Sequence, residues 1–376
     1  MSNEMKNGAM DLVEGAGTLS TKGGRCGAPA MEIVRDGYTV VLGESELYVD
    51  NESRFRSGHM SHAMVEFAPN CFIDFNSNCS PVRCNGHSAF GWIEYRISRD
   101  GGKTYSEIKN LPYARKTMEE GLNTISVEKA VACDDGSIVA FCLRNDAMQP
   151  ISCEPWLIPP VAVVSRDEGE TWSEPYEVCP YKGRIYDAFY HEGAIYFLMQ
   201  CNRNFLGDNP SNVYRLFKST DNGATFEEMS VLPFDFFQRA YGAMIFDTEG
   251  NLHAYVYNNM KERELDHAIS RDGGRTWELL APCYLPRGIR NPQVAYIDGV
   301  YVLHGRGMQT FHFVLYTSTD ATNWDEGTYI DEGHGFYSNN IVLHDEDGAF
   351  LLMQYSKNYE LSRVNVWHKT LRIKKT

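Results

Sequence analysis

The chain has 376 residues, with 35 Lys and Arg against 50 Asp and Glu and a formal net charge of −15 that is spread rather than blocked. That balance excludes a nucleic-acid binder, whose phosphates demand clustered cations, and makes any anionic ligand depend on a local group of arginines. No apolar run reaches the roughly 20 residues that span a bilayer, while 43 % hydrophobic residues, with 19 Phe, 22 Tyr and 6 Trp, suffice for a large core.

The opening segment, MSNEMKNGAMDLVEGAG, has neither a basic stretch nor an apolar run. No secretory signal is expected from it; the expected location is cytoplasmic, or secreted if a leader has been removed. Residues 1–36 read as an N-terminal extension and 37–376 as one domain. GYTVVLGESELYV (37–49) reads as strand. The ten cysteines are expected to be free and buried. Cys71, Cys79 and Cys84 cluster loosely but lack the paired C-x-x-C spacing of a zinc site.

From residue 98 onward one turn recurs. SRDGGKTY at 98, SRDEGETW at 165, STDNGATF at 219 and SRDGGRTW at 270 all fit Ser-x-Asp-x-Gly-x-Thr-aromatic, and STDATNW at 318 is a worn copy without the glycine. Ahead of each copy lies the same layout: an apolar strand, a polar turn, a second apolar strand, a variable loop, and a third strand running into the motif. Thus TISVEKAVACDDGSIVAFCL precedes PVAVVSRDEGETW, and YGAMIFDTEGNLHAYVY precedes LDHAISRDGGRTW. DDGS, TEGN and DEDG between short β-branched and aromatic runs are hairpin signals. Long amphipathic helical patterns are scarce.

Units of roughly fifty residues with four strands each predict the blades of a β-propeller. First strands fall near 60, 125, 185, 241, 292 and 339, which makes six. The last unit, from 337, supplies only three strands, so the 37–49 segment is expected to complete it and close the ring, removing exposed edges. The expected fold is all-β: a six-bladed propeller of four-stranded antiparallel blades. In the repeated turn, Ser and Asp can hold backbone N–H groups, Gly can take a positive φ, and the aromatic can tuck between sheets. The motif therefore reads as a fold staple.

These turns resemble the Asp-boxes of the sialidase (neuraminidase) superfamily, and the resemblance spans roughly residues 38 to 370. A second stretch, GFYSNNIVLHDEDGAFLLMQY from 335, is similar to the way the last sialidase blade opens. On that pattern Tyr337 matches the family's nucleophile. Arg306, in VLHGRGMQTFHF, stands where the third arginine of the family's carboxylate-binding triad is implied. Arg263, in NNMKERELDHAISRDGG, matches the second. Arg56, in ESRFRSGHMSHAMVEF, is the nearest candidate for the first, without the family's Arg-Ile-Pro signature. Two departures stand out. The loop NSNCSPVRCNGHSAFGW, where the family's acid/base aspartate is implied, has no Asp or Glu. The implied glutamate that activates the tyrosine is missing from FFQRAYGAM and RIYDAFY, which offer only Asp187. The resemblance implies neither metal nor cofactor.

In a propeller the starts of the innermost strands converge on a central depression, where small ligands bind. Residues expected there are Arg56, His59 and His62; Glu128, Lys129, Arg144 and Asp146; Asp187 and Arg203; Arg239, Tyr241 and Arg263; Arg290, Asn291 and Arg306; and Tyr337 and Asn339. Arg56, Arg144, Arg263, Arg290 and Arg306 are the candidate substrate-binding residues, because a guanidinium fork fits a carboxylate with two parallel bonds. A phenol nucleophile avoids repulsion by a substrate's own carboxylate, and sialidases are exceptions to the two-carboxylate rule. It needs a base, for which Glu128 is the candidate; Asp146 is the candidate acid, with His62 as an alternative proton donor. The expected activity is sialidase-like exo-hydrolysis of a terminal acidic sugar from glycans, independent of metal. The alternatives are a polysaccharide lyase or arabinanase-type glycosidase on the same scaffold, or a glycan-binding propeller without turnover. The expected partner is a glycan or sugar acid, with no nucleic acid and no membrane span; oligomeric state is left open.

Overall fold

The structure is a computed structural model and describes residues 27–58, 63–83, 89–146, 157–201, 207–308, 311–333, 336–357 and 363–376. Six antiparallel sheets, five of them built from consecutive strands, form six blades. Their first strands are Met64–Ala68, Asn123–Ala132, Gly183–His191, Arg239–Phe246, Arg290–Ile297 and Phe336–Asp345 in blades 1 to 6. Each packs against the first strand of the next blade, and the sixth packs against the first, so these strands line the axis of a closed ring. The expected six-bladed propeller is the observed fold.

Closure follows the expected route. Tyr38–Leu42 pairs with Val366–Lys375, from Tyr38 opposite Lys375 to Leu42 opposite Leu371, and Glu46–Val49 extends the same edge. Met31–Arg35 adds a further strand outside Tyr38–Leu42. The propeller therefore begins ahead of residue 37, where the sequence alone divides the chain. The buried Lys369 clasps this segment, donating to the carbonyls of Pro29 (3.0 Å) and Gly43 (2.8 Å).

The hydrophobic residues separate by distance from the axis. Leu252–Asn258, a second strand, is buried throughout, whereas no residue of the outer strand Glu227–Val231 is buried. A second strand is covered on both faces by neighbouring blades, so it reads as a continuous apolar run rather than an alternation. Six core clusters result, one at each blade-to-blade interface. The described cysteines are free, and apart from Cys71 they are buried. The helix Pro112–Glu119, which periodicity did not signal, packs Ala114, Thr117 and Met118 between blades 1 and 2. No helix among the described residues is long and apolar enough to cross a membrane.

The repeated turns are staples of one design. At 165, the Ser165 hydroxyl accepts from Gly169 N (2.8 Å), and the Asp167 carboxylate accepts from Thr171 N (2.8 Å) and Thr171 Oγ1 (2.6 Å). The copies at 98, 219 and 270 repeat these bonds. Each turn also locks onto the preceding blade. Tyr95 donates to the Gly169 carbonyl (2.8 Å), and Trp172 Nε1 donates to the Tyr95 hydroxyl (3.1 Å). In the worn copy Ala321 takes the glycine's place at φ 59°, and its carbonyl still accepts from Tyr255 (2.5 Å).

Candidate functional site at the axial mouth

The inner strands of blades 2 to 5 share an irregularity near their starts. Pairing with the second strand slips between Val127 and Lys129, Ile185 and Asp187, Ala240 and Ala243, and Arg290 and Gln293. Such bulges re-aim side chains. The displaced residues are Glu128, Tyr186, Tyr241 and Asn291, with Gly242 and Pro292 beside the last two. Tyr241 and Asn291 sit at φ 55° and 56°. Asn tolerates this left-handed conformation, but a bulky aromatic pays about 1–2 kcal/mol for it. Tyr214 pins the strained peptide by donating to the Tyr241 carbonyl (2.8 Å).

Tyr337 opens the regular inner strand of blade 6 and is 7 % exposed. Its hydroxyl is hydrogen-bonded to that of Tyr241, from blade 4. Arg290 and Arg306, opposite each other on the first two strands of blade 5, flank the pair. The Arg290 guanidinium lies 5.5 Å from the Tyr241 ring centre and 5.4 Å from that of Tyr257; Arg306 lies 5.8 Å from Tyr337 and 5.9 Å from Phe311. Arg184, from blade 3, adds a third cation and is paired with Glu128 of blade 2.

The two phenols differ because their surroundings differ. Burial opposes ionisation of both. At Tyr241 the guanidiniums of Arg290, Arg306 and Arg184, together with the bond to Tyr337, outweigh burial and hold the phenol below its ordinary pKa. At Tyr337 burial and the charge that Tyr241 would carry dominate over Arg306 and Arg290, so its pKa lies well above the usual value. Burial likewise opposes charge on Arg290, but Tyr241, Tyr337 and Tyr257 raise its pKa.

One layer deeper, polar groups from four blades close the axis. The Lys129 ammonium donates to Gln293 Oε1 (2.7 Å) and Asn339 Oδ1 (3.0 Å) and pairs with Asp187 (3.1 Å). Asp187 also accepts from Met244 N (2.7 Å). Beside this floor, His304 meets Ser338 Oγ (3.1 Å) and Asn340 Nδ2 (2.8 Å). The amide can only donate to Nε2, so the ring proton rests on Nδ1. Beyond Lys129 a cavity of about 360 Å³ opens between Phe189, Phe246, Val294 and Tyr296.

Of the residues expected at the mouth, Tyr337, Arg290, Arg306 and Tyr241 come together, and Glu128 joins them through Arg184 rather than at Tyr337. Lys129, Asp187 and Asn339 form the floor. Arg56 is buried in blade 1, donating to the Asn78 side chain and carbonyl over the Trp92 ring. Arg144 donates to the Pro159 carbonyl (2.7 Å) and pairs with Glu177 (3.2 Å). Arg239 pairs with Asp266 (2.6 Å), and Arg263 is exposed in the turn before Glu264–Ser270. Asp146 ends the strand Ile138–Asp146 opposite Asn123, and its side chain lies outside the description. His59, His62 and Arg203 lie outside the described residues. Sequence reasoning passed over Arg184, although it stands two residues before the bulge at Tyr186, as Arg239 stands two before Tyr241.

No family model and no curated protein sequence matches the chain. Solved structures do match its fold. A Dyadobacter fermentans protein of unknown function superposes with a TM-score of 0.69 at 13 % identity, over 89 % of this chain and 99 % of that one. Trypanosoma rangeli sialidase gives 0.61 at 13 % identity, over 84 % of this chain and 55 % of its own, so this chain spans about half its length. A Hadza microbial sialidase gives 0.61 at 15 % identity, over 86 % and 68 %. The chain thus has the six-bladed propeller fold that sialidases share.

Proposed function

We propose that this protein is a glycosidase-like propeller that holds the carboxylate of a terminal acidic sugar between Arg290 and Arg306 and hydrolyses the glycosidic bond with Tyr337 as nucleophile. The observation that carries this reading is the convergence of Tyr337 with two guanidiniums at the axial mouth, that of the buried Arg306 and that of the half-buried Arg290. Two forks in a low-dielectric hollow suit a carboxylate far better than they suit a neutral sugar. A neutral phenol beside them can approach an anomeric carbon that bears a negative substituent without repulsion. The fold shared with two sialidases supports the same reading.

Release of 4-methylumbelliferone from its sialoside tests it. Turnover is expected, with a fall of roughly 10³-fold or more in Tyr337→Phe, as for loss of a covalent nucleophile. Turnover that survives Tyr337→Phe would refute the nucleophile.

A second reading is favoured by one observation: the partner of Tyr337 is a phenol, and the nearby Glu128 is tied to Arg184. In a lyase, arginines neutralise a uronic carboxylate while a tyrosine removes the adjacent proton. Ultraviolet absorbance of a new carbon–carbon double bond on uronic polymers, with no sialoside cleavage, would select it.

A further inference from the structure

We infer that Tyr241 is the proton acceptor for Tyr337: a second phenol, set among guanidiniums, takes the part of a carboxylate base. The inference rests on the reading of Tyr337 as a nucleophile toward a sugar acid, and it adds a residue to that reading.

Three observations meet at Tyr241. The first is contact, since its hydroxyl oxygen is bonded to that of Tyr337 and also to Arg290. A guanidinium can only donate. The Tyr241 oxygen is therefore an acceptor toward Arg290, and a second donor, Tyr337, completes the shell of an oxyanion. The second is charge: Arg184, Arg290 and Arg306 all act on Tyr241, whereas Arg306 and Arg290 act on Tyr337. Glu128 pairs with Arg184. The third is backbone. Tyr241 keeps a left-handed conformation inside a bulge, at φ 55°, which ordinary packing of a tyrosine does not require.

The step balances within the pair. As the bond from Tyr337 Oη to the anomeric carbon forms, the Tyr337 proton passes to the Tyr241 phenolate. The electron pair of the breaking glycosidic bond leaves on the aglycone oxygen, which takes a proton from solvent where it is not stable as an anion. In the second half, water attacks the anomeric carbon and releases its proton to solvent. The electron pair of the Tyr337–carbon bond returns to Tyr337 Oη, which recovers its proton from Tyr241. Substrate itself drives the exchange: its carboxylate takes up the positive field of Arg290 and Arg306, and the phenolate left behind becomes a stronger base.

Two measurements on the full chain test this. With the 4-methylumbelliferyl sialoside, whose aglycone leaves as an anion, Tyr241→Phe should lower kcat by about 10²–10⁴-fold with KM little changed. Tyr241→Glu, which restores a base, should recover part of that loss. The ultraviolet difference titration of tyrosinate should show one phenol ionising ahead of the rest, present in the wild type and in Tyr337→Phe and missing from Tyr241→Phe. If Tyr337→Phe is inactive while Tyr241→Phe keeps full kcat, Tyr241 is not the acceptor and the nucleophile reading stands. If the early tyrosinate survives in Tyr241→Phe, the inference fails whatever the kinetics. If the wild type releases no umbelliferone, the reading of Tyr337 falls and takes this step with it.

Discussion

The two ends of the ring are built on opposite plans. At the far end, each turn satisfies its own polar groups within a few residues. The Asp272 carboxylate accepts from Thr276 N at 2.8 Å and Thr276 Oγ1 at 2.6 Å, and the Ser270 hydroxyl accepts from Gly274 N at 2.8 Å. At the mouth, side chains find their main partners on other blades. Tyr337 meets Tyr241, Glu128 meets Arg184, and Lys129 reaches Asp187, Gln293 and Asn339 across the axis. The local plan makes a rigid and repeatable frame. The long-range plan places charge where no single blade could hold it, at the cost of desolvation that only the assembled ring offsets.

Acid should separate the plans most strongly. His304, against the floor of the mouth, and His267, in contact with Tyr255 and His253 in blade 4, are both pushed down to about 3 from 6.5, first by burial and then by Lys129 and His253 respectively. Unfolded, both bind a proton near pH 6.5; folded, they refuse it until about pH 3. Stability is therefore whole above pH 6.5 and falls as pH drops toward 3. The turn aspartates add little to that slope in the same window: Asp272, half-buried, is lowered only to about 2 by its bonds to Thr276. Urea unfolding at stepped pH should show the decline in the wild type and a shallower one in His304→Gln. Equal slopes would place the acid sensitivity elsewhere.

The next largest effect is at the floor. Lys129→Met keeps the volume of the side chain but strands the Asp187 carboxylate, whose side chain is 10 % exposed. Breaking a buried pair from one side costs about 3–5 kcal/mol. Urea unfolding measures it directly. A loss under about 1 kcal/mol would mean that strand packing alone closes the axis and that the long-range plan carries little stability.

The contrast also explains what was legible in the sequence. The turns announce themselves because their bonding partners lie within the motif; they mark the repeating unit, while the first strands give the number of blades and the three-stranded last unit the place of ring closure. Resemblance to a family pattern pointed to Tyr337 and Arg306, and a place at the start of an inner strand pointed to Arg290. The partner of Tyr337 was not found, although Tyr241 was placed at the mouth. A search for a base looks for Glu or Asp, and the bulge that turns Tyr241 inward leaves no periodic mark. Arg184 was passed over for the same reason: its role is set by Glu128, 56 residues away. Contacts between blades are the part of the site that one-dimensional spacing does not encode.

The smallest effect tests the turn plan from both sides. Gly274 sits at φ +90°, and a Cβ there would lie 2.1 Å from Leu216 Cδ2 of the preceding blade. Gly274→Ala thus meets both a backbone penalty and an overpacked interface, for a loss of about 2–4 kcal/mol. The worn fifth turn is the natural reverse: Ala321 already stands at φ 59°, and Thr322 N and Asn323 N still bond Asp320. Ala321→Gly relieves the left-handed strain, but it frees the unfolded chain and removes a methyl that is fully buried. The balance should be a gain of about 0.5–1 kcal/mol, read as a small upward shift in Tm. If Ala321→Gly destabilises instead, the buried methyl matters more than the backbone angle. The fifth turn would then be a repacked variant rather than a weakened copy.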